Sequence, residues 1–209
     1  MPVDINFKQE PLYQREIYYR GGISRIYWDL RDKAIFSYLN ENDNIILDVG
    51  CGEGITLEKL NIRLHHKQCI GIDGMMENIL ICKRHSLPVV GADLLSLPFN
   101  SNSIDSVLFI EVIEHLYEVE KAISEIKRVL KKHGKLIILF PNDRNFKLAR
   151  ILTLKFKEAN FDSGHVKQWT PRTIFNLLNS HGFYIIKQKN IPFFLWQISL
   201  HHIVVCKKS

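Results

Sequence analysis

The chain has 209 residues, 46% of them hydrophobic and 24% charged, the balance of a soluble globular protein built as one domain, with or without small appendages. Its longest apolar stretches, "SVLFIEVI" and "IPFFLWQISL", are too short to span a bilayer. "MPVDINFKQEPLYQRE" lacks the apolar core of a signal peptide, so a cytoplasmic location is expected.

The formal net charge of +6 owes much to scattered lysines and to "KRVLKKHGK" (127–135). That run reads as a solvated helix end, where cations suit the macrodipole. An anionic partner, nucleic acid or a membrane surface, is the alternative reading. Cys51, Cys69, Cys82 and Cys206 form no C-x-x-C pair and imply free thiols in a reducing compartment.

Residues 1–43 carry no strand pattern and read as one or two helices broken near Gly21-Gly22. They are expected to form a helical cap over the ligand edge of the domain that follows, 44–209. There the periodicity alternates. "NIILDVG" is a buried strand, and "GITLEKLNIRLHH" an amphipathic helix with Leu57, Leu60 and Leu64 on one face. "QCIGID" is a strand, "MMENILICKRH" a helix and "PVVGAD" a short strand. "IDSVLFIEVI" is a strongly β-branched strand. "EVEKAISEIKRVLKK" is a helix with Gly134 as its stop signal, and "KLIILFP" is another strand. Strands too apolar for one solvated face, alternating with helices, predict a parallel sheet covered on both sides.

The C-terminal part changes style. "TPRTIFNLLNSHGF" is a helix with Thr170 as N-cap, Pro171 in the first turn and Gly182 at the stop. "FYIIKQKN" and "SLHHIVVCKK" are strands whose connection, "IPFFLWQI", is too short for a crossover helix, so they pair antiparallel. The apolar connection, Phe193 to Trp196 in particular, is expected to fold over the sheet edge or meet a second copy. A membrane or lipid-like acceptor would draw on the same residues.

"IILDVGCGEG" ends a buried strand in a glycine at every second position. A strand, a glycine turn and a helix present backbone N–H groups to a ligand. Ile55 stands where a dinucleotide fingerprint needs its third glycine, and no Lys-Ser/Thr pair follows for a P-loop. An acid at the turn, Asp48, suits a cationic amine or sulfonium. Asp73 ends the second strand, where an acid accepts from a ribose diol. Asp93 ends the third strand, placed to accept from an adenine amino group with Leu94 beside the ring.

This set resembles the class I S-adenosylmethionine-dependent methyltransferases over roughly 45–208, through "LDVGCGEG", "GIDG", "GADLLSLPF", "SIDSVLFIEVIEHL" and "LKKHGKLIILFPN". The resemblance implies a Rossmann-like α/β fold with seven strands in the order 3-2-1-4-5-7-6, strand 7 antiparallel. It implies S-adenosylmethionine as cofactor, leaving as S-adenosylhomocysteine. Gly50, Cys51, Gly52 and Gly54 would pass its methionine end, with Asp48 fixing the loop and the ligand amine. Asp73, Gly74 and Met75 would surround the ribose, Asp93 and Leu94 the adenine. Glu111 would begin the loop where the methyl group meets its acceptor.

A hydroxyl acceptor also needs its proton removed. His115 and His165 are the candidates, His115 reading first as structural and His165 equally as pocket lining or chemistry. Glu114 reads as solvated or a helix cap, and Trp169 as packing. Glu111, Glu114, His115 and His165 also resemble the metal-ligating Glu/His set of small-RNA 2′-O-methyltransferases, although Leu116 stands where that family has a second adjacent His.

The expected activity is methyl transfer to a small-molecule or lipid-like acceptor, by a monomer or homodimer. The alternatives are a metal-assisted RNA 2′-O-methyltransferase and a non-catalytic S-adenosylmethionine-binding protein. Nucleic acid is possible as partner but not favoured, because no aromatic-and-basic RNA-binding module is visible.

Overall fold

A computed structural model describes residues 14–145, 148 and 164–209. Residues 1–13 of the expected cap lie outside the described residues. In chain order the elements are α1 (Gln14–Arg20), α2 (Gly22–Phe36), β1 (Ile45–Val49), α3 (Ile55–Arg63), β2 (Gln68–Asp73), α4 (Met76–Arg84) and β3 (Val89–Gly91). Then come β4 (Ile104–Ile110), α5 (Val119–Val129), β5 (Leu130–Pro141), α6 (Pro171–Ser180), β6 (Phe183–Ile191) and β7 (His201–Lys208). The sheet runs β3-β2-β1-β4-β5-β7-β6. β7 is antiparallel to both neighbours and the other pairings are parallel. This is the fold and strand order that the resemblance implies.

Side chains alternate across each strand, so the sheet feeds two cores. Leu47, Val49, Val107, Phe109, Leu136, Ile138, Phe140, Val204 and Cys206 pack on one face with the buried stripe of α5 and with Ile174 and Leu178 of α6. Ile46, Leu108, Ile110, Ile137, Leu139, Ile203 and Val205 pack on the other, against Ala34, Ile35 and Phe36 of α2 and Leu57 and Leu60 of α3. The same alternation sends Asp48 and His201 toward α2, and His202 the opposite way.

Thr170 caps α6 as expected, its hydroxyl accepting from Thr173 N with Thr173 returning the bond. All four cysteines are buried and free. No helix among the described residues is long and apolar enough to cross a membrane.

Two elements depart from the sequence reading. β4 stops at Ile110 rather than running to Ile113. Glu111 takes a left-handed φ of 54°, and Ile113–His115 coil into a single 3₁₀ turn. A non-glycine residue in that region is uncommon and marks a site held by its surroundings. Helix α5 ends at Val129, and the left-handed residue in the turn that follows is His133, φ 63°. Gly134 is needed for another reason: a Cβ there would lie 3.1 Å from the backbone oxygen of Asp105 on neighbouring β4. The glycine marks a close strand approach and not a helix stop.

Candidate cofactor and acceptor site

The glycine turn is built from the carboxyl end of β1. Gly50 N and Cys51 N both donate to Ile72 O, at 2.7 and 2.9 Å, which ties the turn to β2. Gly50, Gly52 and Gly54 all have positive φ. The sequence reading gave these glycines to the cofactor alone. The protein itself also crowds two of them: a Cβ on Gly50 would lie 2.4 Å from Val112 Cγ2, and one on Gly54 2.6 Å from Leu87 Cδ1 and 2.7 Å from Cys82 Sγ. Gly52 differs, meeting just the end of the Gln14 side chain, at 3.1 Å.

Asp73 organises this turn. Its carboxylate accepts from Gly52 N at 2.8 Å, Met75 N at 2.9 Å and Asn78 Nδ2 at 3.2 Å. Of about four accepting positions on a carboxylate, roughly one is left for a ligand hydroxyl. Burial raises its pKa, while these bonds oppose the shift. Gly74 and Met75 lead from Asp73 into α4, with Met75 as its N-cap. Asp93 is exposed, and its Oδ1 accepts from Leu95 N at 2.8 Å. Leu94 is 3% exposed and packs in the α5-side core.

Helix α1 lies against the same turn. Buried Glu53 accepts from Gln14 N at 3.0 Å and Arg15 N at 2.7 Å, and Arg15 Nη1 donates to Glu53 O at 2.8 Å. Arg15 also pairs with Glu58 on α3.

Beneath the turn is a buried charge network. Arg31 on α2 reaches Asp32 Oδ1 at 2.9 Å, Thr56 Oγ1 at 3.1 Å and Glu111 Oε2 at 2.5 Å. Lys59 Nζ pairs with Asp32 at 2.7 Å. His201 Nε2 bonds Glu111 Oε1 at 2.7 Å, and Tyr27 OH bonds His201 Nδ1. Burial works against ionised Glu111, but the charges of His201 and Arg31 outweigh it and hold its carboxyl well below the usual range. Asp48 is the contrast. It is 3% exposed, and its Oδ2 has no hydrogen-bond partner. Burial and the nearby charge of Asp32 push it up to about 7, against the pull of Arg31. A buried carboxylate oxygen without a donor fits a ligand that brings an ammonium or sulfonium.

A second constellation lies past β4. Glu114, His115 and His165 bring one donor atom each within 4.8 Å of one another. The expectation of a solvated or capping Glu114 fails: it is 1% exposed, with neither carboxylate oxygen hydrogen-bonded. Burial holds its pKa well above the usual carboxylate range, helped by the charges of Glu111 and Asp143. The rings of His115 and His165 meet edge to face at 4.8 Å, and His165 Nδ1 pairs with Asp143 Oδ1 at 2.8 Å. Burial lowers the pKa of His115, and His165 lowers it further. Val166 N donates to Glu114 O at 2.8 Å, which docks the segment before α6 onto the 3₁₀ turn. Trp169 packs as expected, 6% exposed, with Nε1 on Ile113 O at 3.2 Å. Glu111 belongs to the Arg31–His201 network, apart from these three donors.

The family model described as "Methyltransferase domain" matches residues 47–138, which span β1 to the middle of β5. A probable S-adenosylmethionine-dependent methyltransferase of Mycobacterium tuberculosis is 28% identical over 162 residues, 75% of this chain and 56% of that one. Residues 47–138 form a methyltransferase domain of the S-adenosylmethionine-dependent kind. The cofactor of this family is S-adenosylmethionine, and the orphaned Asp48 oxygen and the glycine turn fit it. A phthiotriol/phenolphthiotriol dimycocerosates methyltransferase of Mycobacterium ulcerans is 28% identical over 160 residues, 72% of this chain and 56% of that one. The fold of a methyltransferase from Archaeoglobus fulgidus superposes with a TM-score of 0.72 at 18% identity, covering 95% of this chain and 100% of that one. The chain spans about half the length of the first curated relatives it matches.

Arg31 and His201, which bond Glu111, their partners Asp32 and Tyr27, and Glu53 of the glycine turn were not singled out by the sequence reading. One signal for His201 was present. In "LHHIVV" two adjacent histidines fall on opposite faces of a strand buried on both sides, so each needs a partner inside the protein.

Proposed function

We propose that this protein transfers a methyl group from S-adenosylmethionine to a lipid-like or apolar small-molecule acceptor. The observation that carries the cofactor half is the cradle of Asp48, the Gly50–Gly54 turn and Asp73 at the carboxyl edge of the sheet. The bound cofactor supplies a methyl group already activated on a sulfonium, so the chain's own work is placement and exclusion of water. Asp48 Oδ2 takes the ligand ammonium, and Asp73 a ribose hydroxyl. Helix α1, fastened through Glu53 and Arg15, covers the turn. Glu111, 37% exposed at its side chain, borders the acceptor side at the end of β4.

The acceptor half rests on exposed apolar residues of the β6–β7 connection, Phe193, Phe194, Leu195 and Ile198. It is supported by the likeness to the Mycobacterium ulcerans relative, a methyltransferase of phthiotriol and phenolphthiotriol dimycocerosates. Calorimetry with S-adenosylhomocysteine tests the cofactor claim. Wild type is expected to bind in the micromolar range or tighter, and Asp73→Ala to lose on the order of tenfold or more, about 1.4 kcal/mol. Equal behaviour of the two chains sinks it. A labelled-methyl screen of lipid, RNA, protein and small-molecule pools tests the acceptor, with the label expected in the lipid pool.

The Glu114–His115–His165 cluster favours a second reading, in which a divalent ion holds an acceptor hydroxyl. Donors around one tetrahedral ion lie about 3.4 Å apart, so these three, within 4.8 Å of one another, would close by roughly an ångström. Asp143 stands behind His165 as a carboxylate does behind a ligating imidazole. Titration with Mn²⁺ decides it: saturable binding that Glu114→Gln abolishes supports the reading, and its absence removes it.

A further inference from the structure

The excess charge does not rest on scattered lysines and 127–135, as the sequence reading had it. Residues 164–209 contain Lys167, Arg172, Lys187, Lys189, Lys207 and Lys208 and no Asp or Glu, so the remaining residues balance and the net +6 is the charge of this segment. Lys187 and Lys189 are exposed on β6, leading into the connection to β7. Lys167 and Arg172 are exposed at the same carboxyl edge of the sheet, because Val166 N docks on Glu114 just past β4.

The connection itself presents apolar side chains outward. Phe194 is 100% exposed, Leu195 62%, Ile198 54% and Phe193 53%. The sequence reading expected these residues to fold over the sheet edge or to meet a second copy; in the structure their side chains are exposed. Hydrogen bonds to the backbone hold them there. Asn142 Nδ2 donates to Trp196 O at 2.9 Å, Asn145 Nδ2 to Ser199 O at 2.7 Å, and Ser199 Oγ to Phe193 O at 2.7 Å. Trp196 anchors the inner side against Phe140 and His202.

An apolar tip on a cation-only segment matches a surface that offers hydrocarbon beneath negative charge. We infer that the β6–β7 corner docks on an anionic lipid bilayer, Phe194 and Leu195 entering the acyl boundary while the lysines remain at the headgroups. Lysine suits that position, since its stem lies along apolar surface with the ammonium in water. A second copy fits less well, because a symmetric contact sets Lys187 and Lys189 near their own equivalents. Nucleic acid fits less well too: Phe193 and Phe194 offer rings to stack on a base, but Leu195 and Ile198, exposed at the same tip, offer none. The docking does not depend on the cofactor; its use in catalysis rests on the lipid-like acceptor proposed above.

The test is sedimentation of the 209-residue chain with phosphatidylcholine vesicles, with and without phosphatidylglycerol. Partition is expected to be on the order of tenfold stronger with the anionic lipid and to weaken as salt rises. Phe194→Ser with Leu195→Ser is expected to lose roughly tenfold or more on either vesicle. Lys187→Gln with Lys189→Gln is expected to lose mainly the preference for phosphatidylglycerol. S-adenosylhomocysteine binding by these variants, followed by calorimetry, should match wild type, which shows that they fold. Equal partition of wild type and the Phe194/Leu195 variant overturns the inference, as does absence of any preference for anionic lipid. So does a single-stranded RNA oligomer that binds where vesicles do not, or a dimer broken by the same substitutions without change on vesicles. Cofactor binding without partition fails this inference alone; partition without cofactor binding fails the methyltransferase reading alone.

Discussion

Glu111 and His201 stand 90 residues apart in sequence and share a 2.7 Å hydrogen bond. The bond joins the end of β4 to the start of β7, two strands separated in the sheet by β5. Arg31 of α2 closes on the other oxygen of Glu111, so one carboxylate fastens a helix to two strand ends. The left-handed φ of Glu111 is held by this pairing. A residue that the sequence assigned to the cofactor is therefore also the clamp that seats α2 over the site.

Arg31 is the centre of that clamp and is 5% exposed. Arg31→Met leaves Asp32 and Glu111 short of a buried counter-charge and is expected to cost about 3–5 kcal/mol. Arg31→Lys keeps the charge, lacks the planar fork that serves Asp32, Thr56 and Glu111 together, and is expected to cost less. Urea denaturation at neutral pH compares them; equal stability of wild type and Arg31→Met removes the clamp.

The fold was legible because its signals are local and repeated. β1, β2 and β4 are short apolar runs closed by glycine or acid, and the terminal hairpin followed from a connection too short to cross over. The glycine turn, Asp48 and Asp73 could be placed for the same reason, since each lies at a strand end, whereas Asp93 was expected to end the third strand and lies two residues beyond β3, which stops at Gly91. What stayed hidden depends on contacts between distant elements. Nothing local to "YWDLRD" says that Arg31 meets Glu111, 80 residues on. Glu114 looked solvated because the segment that buries it, around His165 and Val166, comes some fifty residues later.

The glycines separate packing from binding. Gly50→Ala puts a methyl group against Val112 at φ 76°, and overpacking with left-handed strain is expected to cost about 2–4 kcal/mol. Gly52→Ala, at φ 54° and facing just a flexible Gln14 side chain, is expected to cost ~1–2 kcal/mol. Gly52→Ala should stay folded and lose S-adenosylhomocysteine affinity, while Gly50→Ala shows first in thermal melting. The reverse order counts against the packing assigned here.

His202 gives the protein an acid-sensitive stability. Its Nδ1 bonds Asn190 Oδ1, its Nε2 has no partner, and burial lowers its pKa from 6.5 to about 4. The unfolded chain therefore binds a proton in the window between these values that the folded chain refuses. Stability from this group rises with pH across that window and is constant above it. The span corresponds to about 3 kcal/mol. Stability measured at intervals from pH 4 to 7, as wild type minus His202→Gln, should show that slope; a flat difference argues against it.

Asp48 titrates the other way, and its titration reports on the ligand. Burial raises its pKa from 3.8 to about 7, so between those values the folded chain holds a proton that the unfolded chain has lost. Stability from this group falls as pH rises through the window and stays lost above it. Asp48→Asn is therefore expected to be more stable than wild type at pH 8, by about 1–3 kcal/mol. A ligand ammonium placed on Asp48 Oδ2 favours the carboxylate, so binding should expel the proton. Titration of S-adenosylhomocysteine near pH 6, in buffers of different ionisation enthalpy, is expected to show release of a fraction of a proton that Asp48→Asn abolishes along with much of the affinity. Binding with no buffer dependence, unchanged in Asp48→Asn, would take the ligand's amine away from Asp48.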